Sequence, residues 1–228
     1  VMTHDDIATV DELWTAACGR FPLLSPAEQR GGIALLRELS RGAPVAIAEL
    51  ARMLDLPVDT AEALVKDSAL SPFVHTGEAG RIQGFWGLSV THTHHQLTVD
   101  GRRLWTWCAF DSLFMRELLG DTAEIESRDP ETGELARLTV SPARVETAEP
   151  SGVVLSMMPP DAWDFTSAAR VIASACHFIF FFASRTSGEH WRARHSETVL
   201  LSLDDAFALA KRQNAHLFGP ELARCRAD

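Results

Sequence analysis

The sequence predicts an α+β protein: a helical, winged-helix-like N-terminal part over residues 1–88, then an antiparallel β core with flanking helices over residues 89–228. Three observations predict it. Apolar residues recur at helical spacing through the first third; from about residue 88 short alternating runs are separated by turn dipeptides; and the tail returns to a helical, amphipathic pattern.

In chain order, the spacing predicts a helix over Asp11–Gly19 and another over Pro26–Ser40, where Ile33, Leu35, Leu36 and Leu39 make one stripe ended by Gly42 and Pro44. Two short helices, Ile47–Leu54 and Asp59–Asp67, are separated by Asp55-Leu56-Pro57. Ile82–Leu88 reads as a wing strand after this helix-turn-helix pattern. Such a segment either reads DNA or serves as a structural domain. The structural reading is preferred, because the second of the two short helices is poor in Lys and Arg. Strands follow at Leu88–Val90, Leu97–Val99, Ala123–Ile125, Leu135–Val140 and Val153–Met157, with turns at Asp100-Gly101, Asp129-Pro130, Thr132-Gly133, Ser141-Pro142 and Pro159-Pro160. Val199–Leu203 is a last strand, and Asp204 to about Leu217 a last helix.

Composition limits the function classes. With 46% hydrophobic and 23% charged residues the 228-residue chain is an ordinary globular sequence, and a formal net charge of -10 disfavours general nucleic-acid binding, which draws on clustered Lys and Arg. No apolar run approaches the roughly 18 residues that span a bilayer, and Val1–Asp6 shows no secretory pattern, so a cytoplasmic protein is expected. The cysteines at 18, 108, 176 and 225 follow no CxxC or disulfide-framework spacing, which suits a reducing compartment. Cys18 and Cys225, near the termini, are expected to carry no chemistry.

The candidate chemistry lies in Trp107-Cys108-Ala109-Phe110-Asp111. On a helix, the i, i+3 spacing places thiol and carboxylate on one face, able to share one bound atom. Soft sulfur beside a proton donor is what cleavage of a carbon–metal bond needs. A helix start, with Arg102 and Arg103 just upstream, would favour the thiolate. By residue type alone Cys108, among Leu104, Trp105, Trp107 and Phe110, is core; a carboxylate beside that cluster needs a partner or a task. Cys176 opens Ala175–Ala183, which reads as a buried strand. His92 and His94 alternate onto one strand face and could ligate zinc, but no CxxC or acidic partner is near, and with His95 they read as a solvent-facing hairpin tip. A cysteine hydrolase pairing Cys108 with His177 has no local signature in its favour. GxSxG, GxxxxGK[ST], HExxH and GxGxxG motifs are missing.

The segment Arg102–Leu113 resembles the active-site segment of the bacterial alkylmercury (organomercurial) lyases. Further similarities follow the same order: Leu35-Leu36-Arg37-Glu38-Leu39 with Gly42-Ala43-Pro44-Val45, Leu138-Thr139-Val140-Ser141-Pro142, Glu149-Pro150, and Cys176 ahead of Phe181-Phe182-Ala183-Ser184. The resemblance covers about residues 33–210. It implies that Cys108 and Cys176 bind mercury, that Asp111 is the catalytic acid-base, and that mercury is substrate and product with no organic cofactor. It also implies transfer of mercury(II) to cytosolic thiols or mercuric reductase. The third cysteine of familiar members falls near Asp129 in this chain, and His177 follows the second site cysteine. The rival reading is a winged-helix soft-metal-responsive regulator using the same cysteines.

Overall fold

Two capping boxes begin the first helices. In the computed structural model, which describes residues 9–120 and 122–225 with no side chain beyond Leu222, the Thr9 and Ser25 hydroxyls accept the amides of Glu12 and Glu28. Those two carboxylates accept the amides of Thr9 and Ser25 in return, so each helix starts with orphan donors satisfied. Helices α1 (Val10–Cys18), α2 (Pro26–Leu39), α3 (Ile47–Leu54) and α4 (Val58–Lys66) all fall within a residue of their expected bounds.

Strands β1 (Val74–Thr76), β2 (Ile82–Phe85), β3 (Leu88–Ser89), β4 (His95–Val99), β5 (Arg102–Thr106), β6 (Ala123–Arg128), β7 (Leu135–Val140) and β8 (Val145–Glu149) form one antiparallel sheet in the order β1-β2-β3-β5-β4-β6-β7-β8. The sheet runs unbroken across residue 88, and one apolar core takes in α2 residues such as Leu35 and Leu36 together with Leu97, Ile125 and Leu138 of the later strands. The expected single wing strand is a hairpin. Phe85 pairs with Leu88 across Trp86 and Gly87, both at positive φ (51° and 87°). The same two-residue turn recurs where Val99 pairs with Arg102 across Asp100 and Gly101, the form whose twist suits a hairpin.

Behind this sheet α5 (Ala109–Leu119) packs on β3, β4, β5 and the long α8 (Leu203–Cys225). A second antiparallel sheet, β10-β9-β11, joins β9 (Val154–Met157), β10 (Phe181–Phe182) and β11 (Val199–Ser202). Helix α7 (Arg185–Arg192) packs on all three of these strands, whereas α6 (Ala168–Ser174) packs on β1 and on residues 176–178; neither helix was expected from the sequence.

One expectation is corrected here. Ala175–Ala183 is not a buried strand: Cys176–Phe178 form a 3-10 turn, and only Phe181 and Phe182 pair with β9. The buried hydroxyl of Ser156 explains the break, donating to the carbonyl of Phe178 (2.7 Å) and accepting the amide of Phe180 (3.0 Å). The last helix also outruns its expected end at Leu217, passing through Pro220, because Phe218 and Leu222 are buried and hold it on the core. No helix among the described residues is long and apolar enough to cross a membrane.

Candidate active site

The centre forms where β5 turns into α5. Cys108 is the N-cap residue of α5, with extended backbone, and its amide donates to Asp111 Oδ2 at 2.9 Å. The carboxylate thus satisfies a free donor at the helix start and is pinned beside the thiol. Two more bonds fix this corner: the Trp107 amide donates to Gly87 O (2.8 Å), and the Thr106 hydroxyl to Cys108 O (2.8 Å).

Cys176 arrives from the other side on its 3-10 turn. The Ala109 amide, which has no partner within the α5 ladder, donates to Ile179 O at 3.2 Å, so a main-chain bond joins the two cysteine segments. The result is a group of three: Cys108 Sγ, Cys176 Sγ and an Asp111 carboxylate oxygen all lie within 4.8 Å of one another. Their relative exposures are only 2%, 5% and 8%, so the chemistry is sheltered from bulk water.

Gly87 makes room for this. A Cβ there would lie 2.4 Å from Asp111 Cγ, and the backbone is at φ +87°. Its neighbour Trp86 also occupies the left-handed region at φ 51°, a strained conformation for a bulky side chain, and lines the same cavity. That cavity, about 60 Å³, is walled by Phe21, Phe73, Trp86, Trp107, Trp163 and Phe165 around the three reactive groups.

Burial sets the protonation states. Desolvation raises the Asp111 carboxyl to about 7, against the opposing hydrogen bonds from the Cys108 thiol and amide. For Cys108, desolvation comes first, with the neighbouring Cys176 and Asp111 adding to it, and the thiol is pushed well up despite the Asp111 amide. At Cys176 the hydrogen bond from Cys108 works downward, but burial and the Asp111 charge outweigh it and the thiol is also raised. The expectation of a ready thiolate at Cys108 is therefore corrected. Arg102 and Arg103 are exposed on β5, at its far end from Cys108, and give no compensation for lost solvent.

The other candidates stand apart. His92 and His94 are exposed, whereas His95 is buried, its Nδ1 2.9 Å from Ser127 Oγ, and burial with the nearby His94 lowers it to about 3. Among the described residues only Cys108, Asp111 and Cys176 make a metal-competent group. His177 is exposed on its turn while Cys176 is buried, so no Cys108–His177 pair is in evidence. Cys18 is a free, half-buried thiol whose Sγ donates to Thr15 O; the side chain of Cys225 lies outside the described residues. Sequence reasoning missed Gly87, Trp86, Phe21 and Gln213, all lining the cavity. An aromatic-glycine pair between two short apolar runs was the one local signal, for the turn at Trp86-Gly87; Phe21 and Gln213 carried none.

Fold and site together define an α+β protein able to clasp one soft cation between two thiols with a carboxyl group beside it. More specifically, the chain belongs to the alkylmercury lyase family: the family model described as "Alkylmercury lyase" matches residues 88–214. An alkylmercury lyase of Staphylococcus epidermidis is 35% identical over 193 residues, 84% of this chain and 85% of the relative. Another from Bacillus cereus is 36% identical over 177 residues, 78% of this chain and 77% of the relative. The crystal structure of the mercury-bound form of MerB2 superposes with a TM-score of 0.73 at 20% identity, covering 91% of this chain and 98% of that one, which shows a shared fold. The regulator reading is not favoured.

Proposed function

We propose that this lyase cleaves carbon–mercury bonds by protonolysis, with Cys108 and Cys176 as the mercury-binding thiols and Asp111 as the group that carries the proton. The observation that carries this reading is the convergence of two sulfurs and a carboxylate oxygen within 4.8 Å in a buried, aromatic cavity.

A carbon–mercury bond is weakly polarised and resists water, so the carbon must be made basic. Sulfur coordination does this, since mercury(II) binds soft ligands strongly. One cysteine sulfur displaces the substrate's leaving ligand X and gives its proton to the Asp111 carboxylate. The second sulfur raises the coordination number and pushes electron density towards carbon, its own proton leaving with X as HX, and Asp111 returns the first proton to carbon as that bond breaks. Overall, RHgX and two thiols give RH, HX and mercury(II) held by two thiolates. A carboxyl group tuned to about 7 suits both halves of this exchange near neutral pH, and the chemistry closes without an organic cofactor.

In this reading the winged-helix-like segment 1–88 is one wall of the site, supplying Phe21, Phe73, Trp86 and Gly87 to a catalytic core over 89–228. The protein works in the cytoplasm as a mercury-detoxification enzyme, releasing mercury(II) to cytosolic thiols or to mercuric reductase.

Incubation with phenylmercury and excess thiol, following benzene by gas chromatography, tests the proposal. Cys108→Ser and Cys176→Ser each lose turnover; benzene release at the parent rate from either would contradict the two-thiol mechanism. Asp111→Asn retains mercury(II) but slows cleavage by roughly 10²- to 10⁴-fold.

A further inference from the structure

Gln213 carries the one carboxamide among the cavity's described residues, and the proposed mechanism leaves it unused. It lines the same space as Cys108, Asp111 and Cys176 and is only 6% exposed. Its neighbours on α8 are held by other elements: Asn214 Nδ2 donates to Phe114 O and to Glu117 Oε2, both at 3.0 Å, while its Oδ1 is buried without a partner, and Leu217 O accepts Gln29 Nε2 at 2.7 Å. These bonds fasten α8 to α5 and α2 just beyond Gln213. Among the described residues, no hydrogen bond ties down the Gln213 carboxamide itself. A buried amide without a protein partner is costly unless something else satisfies it, and the cavity the substrate would enter is a space it lines.

We propose that Gln213 is a specificity-determining residue: a polar subsite that takes a neutral hydrogen-bonding atom, an ether or hydroxyl oxygen, on the organic group of the organomercurial. The inference rests on the lyase reading above. The chemistry of the wall selects the class. Among the described residues no Lys, Arg or His lines the cavity, so an anionic substituent would be buried without a counter-charge and close to Asp111. A cationic substituent would draw on Asp111 and compete with proton transfer. A neutral oxygen avoids both penalties and satisfies the amide, while the aromatic faces accommodate the remaining carbon chain.

The experiment compares 3-methoxypropylmercury with n-pentylmercury, equal in chain length and differing by one oxygen, and measures kcat/KM from release of 1-methoxypropane or pentane. Replacing Gln213 by leucine, which keeps the bulk and removes the hydrogen bond, is expected to lower the ether-to-pentyl ratio by roughly three- to tenfold. Gln213→Met should give the same drop, so one folded variant of the two suffices. Because the ratio is internal, a merely structural loss that slows both substrates alike leaves it unmoved. An unchanged ratio in a folded variant overturns the subsite. Failure of the parent protein to cleave either compound overturns instead the lyase reading on which it rests.

Discussion

Asp111 combines two tasks that usually conflict. As a helix cap it accepts the Cys108 amide, which favours the carboxylate; as a buried group it is driven towards the neutral acid, and burial wins, at about 7. Two predictions follow at this scale. The free enzyme's kcat/KM should rise with pH through about 7, because in the proposed mechanism Asp111 must be ionised to receive the thiol proton, and a flat pH profile would remove that step. Stability should respond in the opposite sense. Since the folded value lies above the ordinary 3.8, the unfolded chain releases this proton first, and stability falls as pH rises from about 4 to 7. Denaturant titrations of Asp111→Asn should therefore gain on the parent protein across that window. Gly87→Ala tests the fit: its Cβ would meet Asp111 Cγ at 2.4 Å. It should slow benzene release about a hundredfold through displacement of the carboxyl group, and the positive φ should add a stability loss of about 1–2 kcal/mol.

Among the elements, the start of α5 was legible and the Cys176 turn was not. Cys108 and Asp111 are three residues apart, and local helix geometry alone brings them together. Cys176 depends on partners far away in sequence: Ser156 breaks the strand after it, Ala109 binds Ile179 O, and Asp129 anchors the chain further on. Asp129, 1% exposed, accepts the Ala183 amide (2.9 Å) and the Ser187 hydroxyl (2.7 Å) on Oδ2, and the Glu131 and Thr132 amides on Oδ1. Burial works to raise its carboxyl, but these donors together hold it below the usual value. It links the β6–β7 turn to β10 and α7, near the position where the family resemblance placed a third cysteine. Asp129→Ala should cost about 3 kcal/mol in chemical denaturation, with turnover reduced as Cys176 loses its support. Unaltered stability would show that the latch is dispensable.

Across the whole molecule, the cavity is assembled from segments that have no sequence proximity. Phe21 follows α1, Phe73 precedes β1, and Trp163 and Phe165 lie between β9 and α6. Phe21 has ring centroids 5.7–6.4 Å from Trp86, Trp163 and Phe165, and the Arg20 guanidinium, donating to Trp163 O, ties its loop to the facing one. Phe21→Ala should therefore destabilise the fold by about 3 kcal/mol and raise KM for phenylmercury more than it lowers kcat, because in the proposed function the wall would hold the organic group without touching the proton path. Equal loss in kcat would place Phe21 nearer the reaction than the cavity does.

By itself the sequence determined the α+β class, the first four helices, most strands of the large sheet, and the thiol–carboxylate pair at 108 and 111, together with the family to which the chain belongs. Each of these follows from periodicity, turn chemistry or a short ordered motif, signals that act within a few residues. Only the tertiary structure decided that Cys176 meets that pair, that both thiols are raised rather than lowered, and that Gly87, Phe21 and Gln213 share their cavity. The physical reason is that desolvation and close approach depend on which distant surfaces exclude water together, and no local spacing records that.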